Sequence, residues 1–271
     1  MKKNLLTLTL LLCTLSLLAQ RQFPTQIKHL SFKSEILGVE RNFSIYLPRS
    51  YDREPDKYYP VLYLLHGHGE NNAEWANIPL MMQNEIINYT INSGEACEMI
   101  IVYPDAGTVR NGYFNFEDWN YEDYFFKELL PYVESNYRII ADKGHRCIGG
   151  LSMGGGGAVS YAQSHPDMFG SVYAMSAAVG SSGTRPGVFN DCVSVVKNAT
   201  PELIEKLRTI NWMIDCGDAD FLFDANVEFY QAMRQAQIPC QFRVRAGGHV
   251  SAYWYSGLAL ALPYFTRHFK K

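Results

Sequence analysis

A short glycine-rich segment near the middle of the chain constrains the fold more than any other feature. Residues 150–154 read Gly-Leu-Ser-Met-Gly, the Gly-x-Ser-x-Gly pattern that seats a serine on a sharp turn between a strand and a helix. The serine of such a turn takes strained backbone angles, and the positions two before and two after it need residues almost without side chains. The pattern predicts that Ser152 is a nucleophile. A glycine-rich packing turn with an incidental serine is the alternative.

The first 19 residues have the pattern of a secretory signal peptide. Lys2 and Lys3 precede an apolar stretch from Leu5 to Ala19, and charged residues begin again at Arg21. An apolar stretch of about 15 residues is shorter than the ~20 needed to cross a bilayer, which disfavours a membrane anchor. We therefore expect residues 1–19 to be cleaved off and the mature chain to be secreted or periplasmic, without a stable membrane span.

Residues 20–271 have the composition of a single α/β domain. No repeat or low-complexity linker divides them, and 47% apolar residues in the full chain can supply one core. The net charge of −3 becomes −5 once the two N-terminal lysines are lost, so the charge does not favour nucleic acid. Five cysteines without metal-like spacing remain. We expect no metal, no cofactor and no disulfide framework, with a single bridge from Cys97 or Cys192 left open.

Strand and helix patterns alternate along most of the chain. Residues 26–33 and 41–47 alternate apolar and polar side chains around Gly38, which is typical of an antiparallel hairpin. Later runs are apolar almost throughout, as in strands buried on both faces. These runs are 59–65, 99–103, 146–149, 171–176, 211–215 and 241–244. Helical patterns occupy 120–137, 153–164, 226–237 and 253–269. The alternation predicts a parallel sheet with helices on both faces.

Residues 177–210 interrupt this alternation. They include the sequence Gly-Ser-Ser-Gly-Thr-Arg-Pro-Gly at 180–187 and a predicted short helix near 201–208. The segment follows the predicted strand at 171–176, so we expect it to be an insertion over the carboxyl ends of the strands. Open α/β sheets bind their ligands at these ends.

A nucleophilic serine needs a histidine to take its proton and a carboxylate to orient that histidine. In enzymes whose serine sits on this Gly-x-Ser-x-Gly turn, the two follow the serine in the chain, acid first, on loops after later strands. Of the seven histidines, His249 alone both comes after Ser152 and closely follows a predicted strand. The others are His29, His66, His68, His145, His165 and His268.

Three aspartates compete for the role of the acid. Asp215 lies within a predicted strand, where it is better placed to brace the structure. Asp218 and Asp220 lie on the loop that follows, and the carboxylate of either could face His249. The oxyanion of the reaction also needs two backbone amides, one after the nucleophile and one after an earlier strand. We predict that Met153 and His68 donate them.

These motifs resemble one branch of the α/β hydrolases, the esterases that include feruloyl and acetyl xylan esterases of carbohydrate esterase family one, esterase D and the mycolyltransferases. The resemblance covers nearly all of residues 20–271. The segments that carry it are 44–48 with 51–52, 59–69 with Trp75, 102–105, 128–131, 150–155, 216–220 and 248–249 with Trp254.

The resemblance implies an α/β-hydrolase fold, with a mostly parallel central sheet, an antiparallel N-terminal hairpin and helices on both faces. In this branch the second acidic position of Cys-Gly-x-x-Asp carries the acid, which favours Asp220 over Asp218. The residue after the His-Gly pair donates an oxyanion amide, which corresponds to His68. Leu151 stands where many feruloyl esterases have histidine, a departure that bears on the feruloyl assignment alone.

The sequence therefore predicts a serine esterase with the triad Ser152, His249 and Asp220. The resemblance implies that its substrates are feruloyl or acetyl esters of plant-type polysaccharide. Acyl transfer to a sugar or another alcohol, and esterase D-like cleavage of thioesters or short-chain esters, are the alternatives. Aromatic residues at 113–124 and 253–255 are candidates for stacking against a phenolic ring or a sugar.

Overall fold

An eight-stranded mixed sheet forms the centre of the protein. The computed structural model describes residues 26–73, 75, 82–107, 112–180 and 190–270. The predicted signal peptide lies outside these residues, as do residues 181–189 of the predicted insertion. The strands are β1 Gln26–Lys33, β2 Glu40–Leu47, β3 Val61–Leu65, β4 Ile100–Pro104, β5 Asn115–Phe116, β6 Trp119–Asn120, β7 Arg146–Leu151, β8 Ser171–Met175, β9 Asn211–Gly217 and β10 Cys240–Arg245.

The central sheet has the strand order β1-β2-β4-β3-β7-β8-β9-β10, and β5 and β6 form a separate small hairpin. β1 pairs antiparallel with β2, and β2 pairs antiparallel with β4. All neighbours from β4 to β10 are parallel. The mostly parallel sheet and the antiparallel N-terminal hairpin are therefore confirmed.

Helices cover both faces of the sheet. They are α1 Met82–Asn92, α2 Tyr121–Tyr124, α3 Leu130–Asn136, α4 Met153–Ser164, α5 Cys192–Lys197, α6 Pro201–Arg208, α7 Phe223–Gln235 and α8 Ser251–His268, with a π-helical segment, Phe125–Leu129, between α2 and α3. The side chains of β3 show how the faces divide. Val61, Tyr63 and Leu65 enter the core beneath α4 and α7, whereas Leu62 and Leu64 enter the core beneath α1 and α8. Side chains of a strand alternate between faces, so one apolar strand serves both cores.

The element boundaries differ from the predicted ones where local chemistry intervenes. The predicted strand at 59–65 begins at Val61, because Pro60 has no amide hydrogen and Tyr59 makes only an isolated bridge to Ile139. The predicted helix at 120–137 contains the π-helical segment, and the short helix predicted at 201–208 is α6. Helices α1 and α5 and the β5–β6 hairpin were not predicted. The five cysteines of the described residues are all free.

Helix α4 approaches the residues after β8 so closely that glycine is required at the contact. A Cβ on Gly156 would lie 2.3 Å from the carbonyl oxygen of Ala178. Such a distance to backbone atoms cannot be relieved by a change of rotamer. This close packing brings α4 against Ala177 and Ala178, where the predicted insertion begins.

Gly156→Ala should therefore destabilise the protein. Alanine would add about 1 kcal/mol of helix propensity, but overpacking of a close contact costs about 1–3 kcal/mol, and a backbone clash lies at the upper end. We expect a net loss of roughly 2 kcal/mol in the free energy of unfolding, measured by urea denaturation. Gly248→Ala is the control, since its Cβ would meet its nearest atom at 3.4 Å. Equal stability of the two variants would contradict the packing argument.

Candidate active site

Ser152 lies in a strained turn between β7 and α4. Its φ of +52° and ψ of −116° place a non-glycine residue in a region that costs about 1–3 kcal/mol. The flanking glycines make room for the turn. A Cβ on Gly150 would lie 2.5 Å from the carbonyl carbon of Gly154, and a Cβ on Gly154 would lie 2.4 Å from the carbonyl oxygen of Leu65. The spacing of the motif is thus a requirement of backbone packing.

A continuous chain of hydrogen bonds runs from Ser152 through His249 to Asp220. The Nε2 atom of His249 lies 2.9 Å from the Ser152 hydroxyl oxygen. Its Nδ1 atom lies 3.0 Å from each carboxylate oxygen of Asp220. The three residues follow β7, β10 and β9 respectively. Because parallel strands end at the same edge of a sheet, residues almost 100 positions apart in the sequence meet there.

The other two aspartates hold the loops in place. Asp218 accepts a hydrogen bond of 2.9 Å from the amide of Gly247 and so ties the loop after β9 to the loop that carries His249. Asp215 is completely buried. It accepts hydrogen bonds from the hydroxyls of Tyr173 and Tyr253 and from Nε of Arg245. Burial, reinforced by the Asp215 charge, raises the pKa of both tyrosines.

The acid and histidine loops also touch through their backbones. The amide of Ala219 donates a 2.9 Å hydrogen bond to the carbonyl of Gly247. A Cβ on Gly217 would lie 2.1 Å from that same carbonyl oxygen. Gly247 itself has a φ of +144°. The two loops therefore hold each other in one relative position.

Two aromatic rings contact the imidazole of His249. The Trp254 ring is nearly perpendicular to it at 4.8 Å, and the indole NH donates a hydrogen bond to Ser176. The Phe221 ring lies 4.3 Å away on the loop after Asp220. Trp254 belongs to the aromatic groups singled out in the sequence, whereas Phe221 was missed, because it has no motif around it beyond its position after the acid.

The loop that follows β3 is fixed from several directions. The carboxylate of Glu70 accepts a 2.6 Å hydrogen bond from the amide of Gly67. The ring of His66 is buried, with Nδ1 2.8 Å from the carbonyl of Gly67 and Nε2 3.0 Å from the amide of Ala106. An amide can only donate, so Nε2 accepts and Nδ1 carries the proton. His66 is thus a neutral ring that links this loop to the loop after β4.

The predicted oxyanion donors lie on two sides of Ser152. Met153 is the first residue of α4, so its amide has no acceptor within the helix. His68 lies on the loop fixed by His66 and Glu70, and it lines the same cavity as Ser152. Met153 therefore directly follows Ser152 in the chain, and His68 shares the cavity with it.

A cavity of about 680 Å³ opens onto Ser152. One wall comes from the loop after β3, and the other comes from the loop after β9 and the start of α7. The lining residues are Gly67, His68, Glu70, Leu151, Ser152, Ala178, Gly180, Phe221, Leu222, Asp224, Ala225, His249 and Trp254. The space is sufficient for a substrate of drug-like size.

Residues 34–265 match the model of the esterase family described as "Putative esterase". The chain belongs to this family of esterases. It also resembles a solved structure titled ferulic acid esterase, with 44% identity and a TM-score of 0.87 over 92% of this chain and all of the other. Both the family and the α/β-hydrolase fold predicted from the sequence are confirmed.

Two curated relatives extend the comparison. An endo-1,4-beta-xylanase/feruloyl esterase of Xylanibacter ruminicola is 33% identical over 53% of this esterase. The matched part spans only 20% of that relative's length. An acetyl esterase of Caldicellulosiruptor saccharolyticus is 24% identical over 89% of this chain and 98% of its own length.

Only some of the aromatic residues singled out in the sequence line the cavity. Tyr113, Tyr121 and Tyr124 are completely buried and pack against one another beneath the sheet. They form part of the core, contrary to their proposed role in stacking against a substrate. Among the described residues, the aromatic side chains on the cavity wall are Phe221, His249, His68 and Trp254.

The buried His66 should make stability depend on pH. Burial lowers the pKa of His66 to about 4 from its ordinary 6.5. Above pH 6.5 the ring is neutral in both the folded and unfolded states and contributes no pH dependence. As the pH falls from 6.5 to 4, only the unfolded chain takes up the proton, so stability falls by on the order of 3 kcal/mol.

His66→Asn should remove this part of the acid destabilisation. The measurement is urea unfolding of both proteins at several pH values between 4 and 7. We expect the variant to be less stable at pH 7, because it leaves the buried site imperfectly filled, but to lose less stability on acidification. Parallel pH curves for the two proteins would contradict a neutral buried His66.

Replacement of the two loop aspartates should distinguish their roles. Asp220→Asn presents an amide to His249 and favours the wrong tautomer, so kcat should fall about 10⁴-fold, as in comparable triads. Asp218→Asn weakens one hydrogen bond to Gly247, and we expect a loss of roughly tenfold or less. Both values come from hydrolysis of p-nitrophenyl acetate. A larger loss for Asp218→Asn would reverse the assignment of the acid.

Proposed function

We propose that this esterase hydrolyses feruloyl or acetyl esters of plant-type polysaccharide through an acyl-enzyme on Ser152. The observation that carries the proposal is the hydrogen-bonded chain of Ser152, His249 and Asp220 at the wall of an open cavity. These three groups supply a nucleophile, a base and a carboxylate that orients the base. Asp220, with its side chain completely buried, also accepts a hydrogen bond from the amide of Leu222, which fixes its direction.

The reaction begins when Ser152 attacks the ester carbonyl carbon. Nε2 of His249 takes the hydroxyl proton, and the Asp220 carboxylate stabilises the imidazolium that forms. The carbonyl oxygen becomes an oxyanion and accepts hydrogen bonds from the amides of Met153 and His68. Loss of one such donor costs about 3 kcal/mol of transition-state stabilisation in comparable enzymes. The strained turn contributes to this step, because it holds the Ser152 hydroxyl at the cavity wall.

The tetrahedral intermediate then breaks down with release of the alcohol. His249 returns its proton to the leaving oxygen, and the acyl group stays on Ser152. A water molecule enters, gives its proton to His249 and attacks the acyl carbonyl. A second tetrahedral intermediate releases the carboxylic acid and restores the serine, so each catalytic cycle consumes one ester and one water.

The similarity pattern supports the choice of substrate class. The solved structure titled ferulic acid esterase is matched along its whole length. The xylanase/feruloyl esterase and the acetyl esterase point to the same two acyl groups. The cavity combines apolar residues such as Leu151 and Leu222 with the polar side chains of the site. Such a lining suits an aromatic or short acyl chain joined to a polar alcohol.

We also propose that the enzyme is exported. The support is the basic and then apolar pattern of residues 1–19, which is typical of a signal peptide. Among the residues that the structure describes, no helix is long and apolar enough to cross a membrane. Detection of the mature chain outside the cytoplasm, with its N-terminus near residue 20, tests the proposal, and recovery of an uncleaved chain from the cytoplasm would contradict it.

Turnover by single variants tests the catalytic assignment. Ser152→Ala and His249→Ala should each reduce kcat on p-nitrophenyl acetate by about a millionfold, as triad deletions do. Ser135→Ala, on the exposed side of α3, is the matched control and should retain full activity. Substantial activity in either triad variant would overturn the proposed mechanism.

A substrate panel tests the proposed ester class. We expect methyl ferulate or acetylated xylan to give the highest kcat/KM, above S-formylglutathione and short p-nitrophenyl esters. Product analysis with a free sugar present should show the carboxylic acid as the main product. A preference for the thioester, or transfer of the acyl group to the sugar, would favour the alternatives.

A further inference from the structure

The phenyl ring of Phe221 is unusually exposed for its position. It is 76% exposed, although it lies beside the buried Asp220 and contacts the ring of His249. Burial of a phenylalanine side chain is worth about 1.5–3 kcal/mol, so an exposed ring at a cavity mouth forgoes that gain. Single exposed apolar side chains are common on protein surfaces, but Phe221 differs from them because its ring lines the cavity and contacts His249.

Asp224 lies on the same wall of the cavity, three residues after Phe221. It occupies the first turn of α7 and is exposed. Within the described part of the chain, no hydrogen bond or ion pair engages its carboxylate. On the opposite wall the carboxylate of Glu70 is already engaged, because it accepts a hydrogen bond from the amide of Gly67. The wall beside His249 therefore offers an apolar ring and an available acceptor next to each other.

The mechanism decides which half of the ester meets this wall. His249 must return its proton to the oxygen of the leaving alcohol, so that oxygen lies close to Nε2. The carbonyl oxygen points instead toward the amides of Met153 and His68. Phe221 contacts His249 directly, and Phe221 and Asp224 line the wall beyond it. The alcohol half of the ester therefore leaves along the wall formed by these two residues.

We propose that Phe221 and Asp224 form the subsite that binds the sugar alcohol of the ester. One face of a sugar ring carries C–H groups that pack on an aromatic ring, and its hydroxyls donate hydrogen bonds to a carboxylate. The methyl group of a methyl ester has neither a ring face nor a free hydroxyl. The inference rests on the proposed function and adds to it the group that selects the alcohol.

Two esters with the same acyl group and different alcohols test the subsite. We would measure kcat/KM for feruloyl arabinose and for methyl ferulate. Both esters give the same feruloyl-enzyme, so the deacylation step is common to them. The ratio of kcat/KM for feruloyl arabinose to kcat/KM for methyl ferulate therefore reports the alcohol alone. In the wild type the ratio should favour the sugar ester.

Changes in the subsite should lower this ratio. Phe221→Ala and Asp224→Asn should each reduce it about threefold to tenfold, because Phe221→Ala removes one aromatic contact and Asp224→Asn keeps an acceptor oxygen but loses its charge. Phe221→Trp should restore the preference, because it retains an aromatic face. Tyr89→Ala removes another exposed aromatic, 71% exposed on α1, and Glu228→Gln removes a carboxylate one turn further along α7. Both controls should leave the ratio unchanged.

The possible results separate this inference from the proposed function. If the wild type hydrolyses methyl ferulate but Phe221→Ala and Asp224→Asn leave the ratio unchanged, the subsite is wrong and the esterase mechanism stands. If Phe221→Ala lowers kcat/KM for both esters by the same factor, the ring supports His249 or contacts the acyl group. The proposed subsite is then also wrong. If the wild type hydrolyses no ester, the proposed function fails together with the subsite.

Discussion

The close approach of three backbone segments at Ser152 is the constraint on which the rest of the site depends. Gly150, Gly154 and the carbonyl of Leu65 lie so near one another that any side chain would collide. This packing holds Ser152 at positive φ and sets its hydroxyl at the edge of the sheet. It also fixes the loop after β3, which carries His68, against the same turn. Ser152 and the loop that carries His68 are therefore placed by a single packing requirement.

Asp220 and His249 are placed by a second contact, between the loops after β9 and β10. Gly217 and Gly247 meet at a distance that excludes side chains, and Asp218 joins the same two loops through an amide. Below them, the buried Asp215 gathers two tyrosine hydroxyls and Arg245 from β8, β10 and α8. Removal of a buried partner from such a network is costly, because the remaining charges are left unpaired. The network thus supports the two loops that carry His249 and Asp220.

The sequence gives most information about the site where a residue of suitable chemistry also has a distinctive position in a motif or after a strand. Ser152 follows from its motif, and His249 follows from its position after a late strand. The residues alone could not separate Asp218 from Asp220, because both lie on one loop and only its folded path decides which carboxylate meets the histidine. Phe221 and the neutral tautomer of His66 depend on contacts between distant segments, which leave no local pattern. Helix α1 was missed for a related reason, since its stability comes from packing against α8 and not from a strong pattern of its own.

The central claim is that an acyl group passes through Ser152. The most direct test is mass spectrometry of enzyme quenched with acid during turnover of methyl ferulate, followed by peptide mapping. The account predicts the added mass of one feruloyl group on the peptide that contains Ser152, and its absence in Ser152→Ala. A feruloyl group on another residue would contradict the account, as would undiminished turnover by Ser152→Ala.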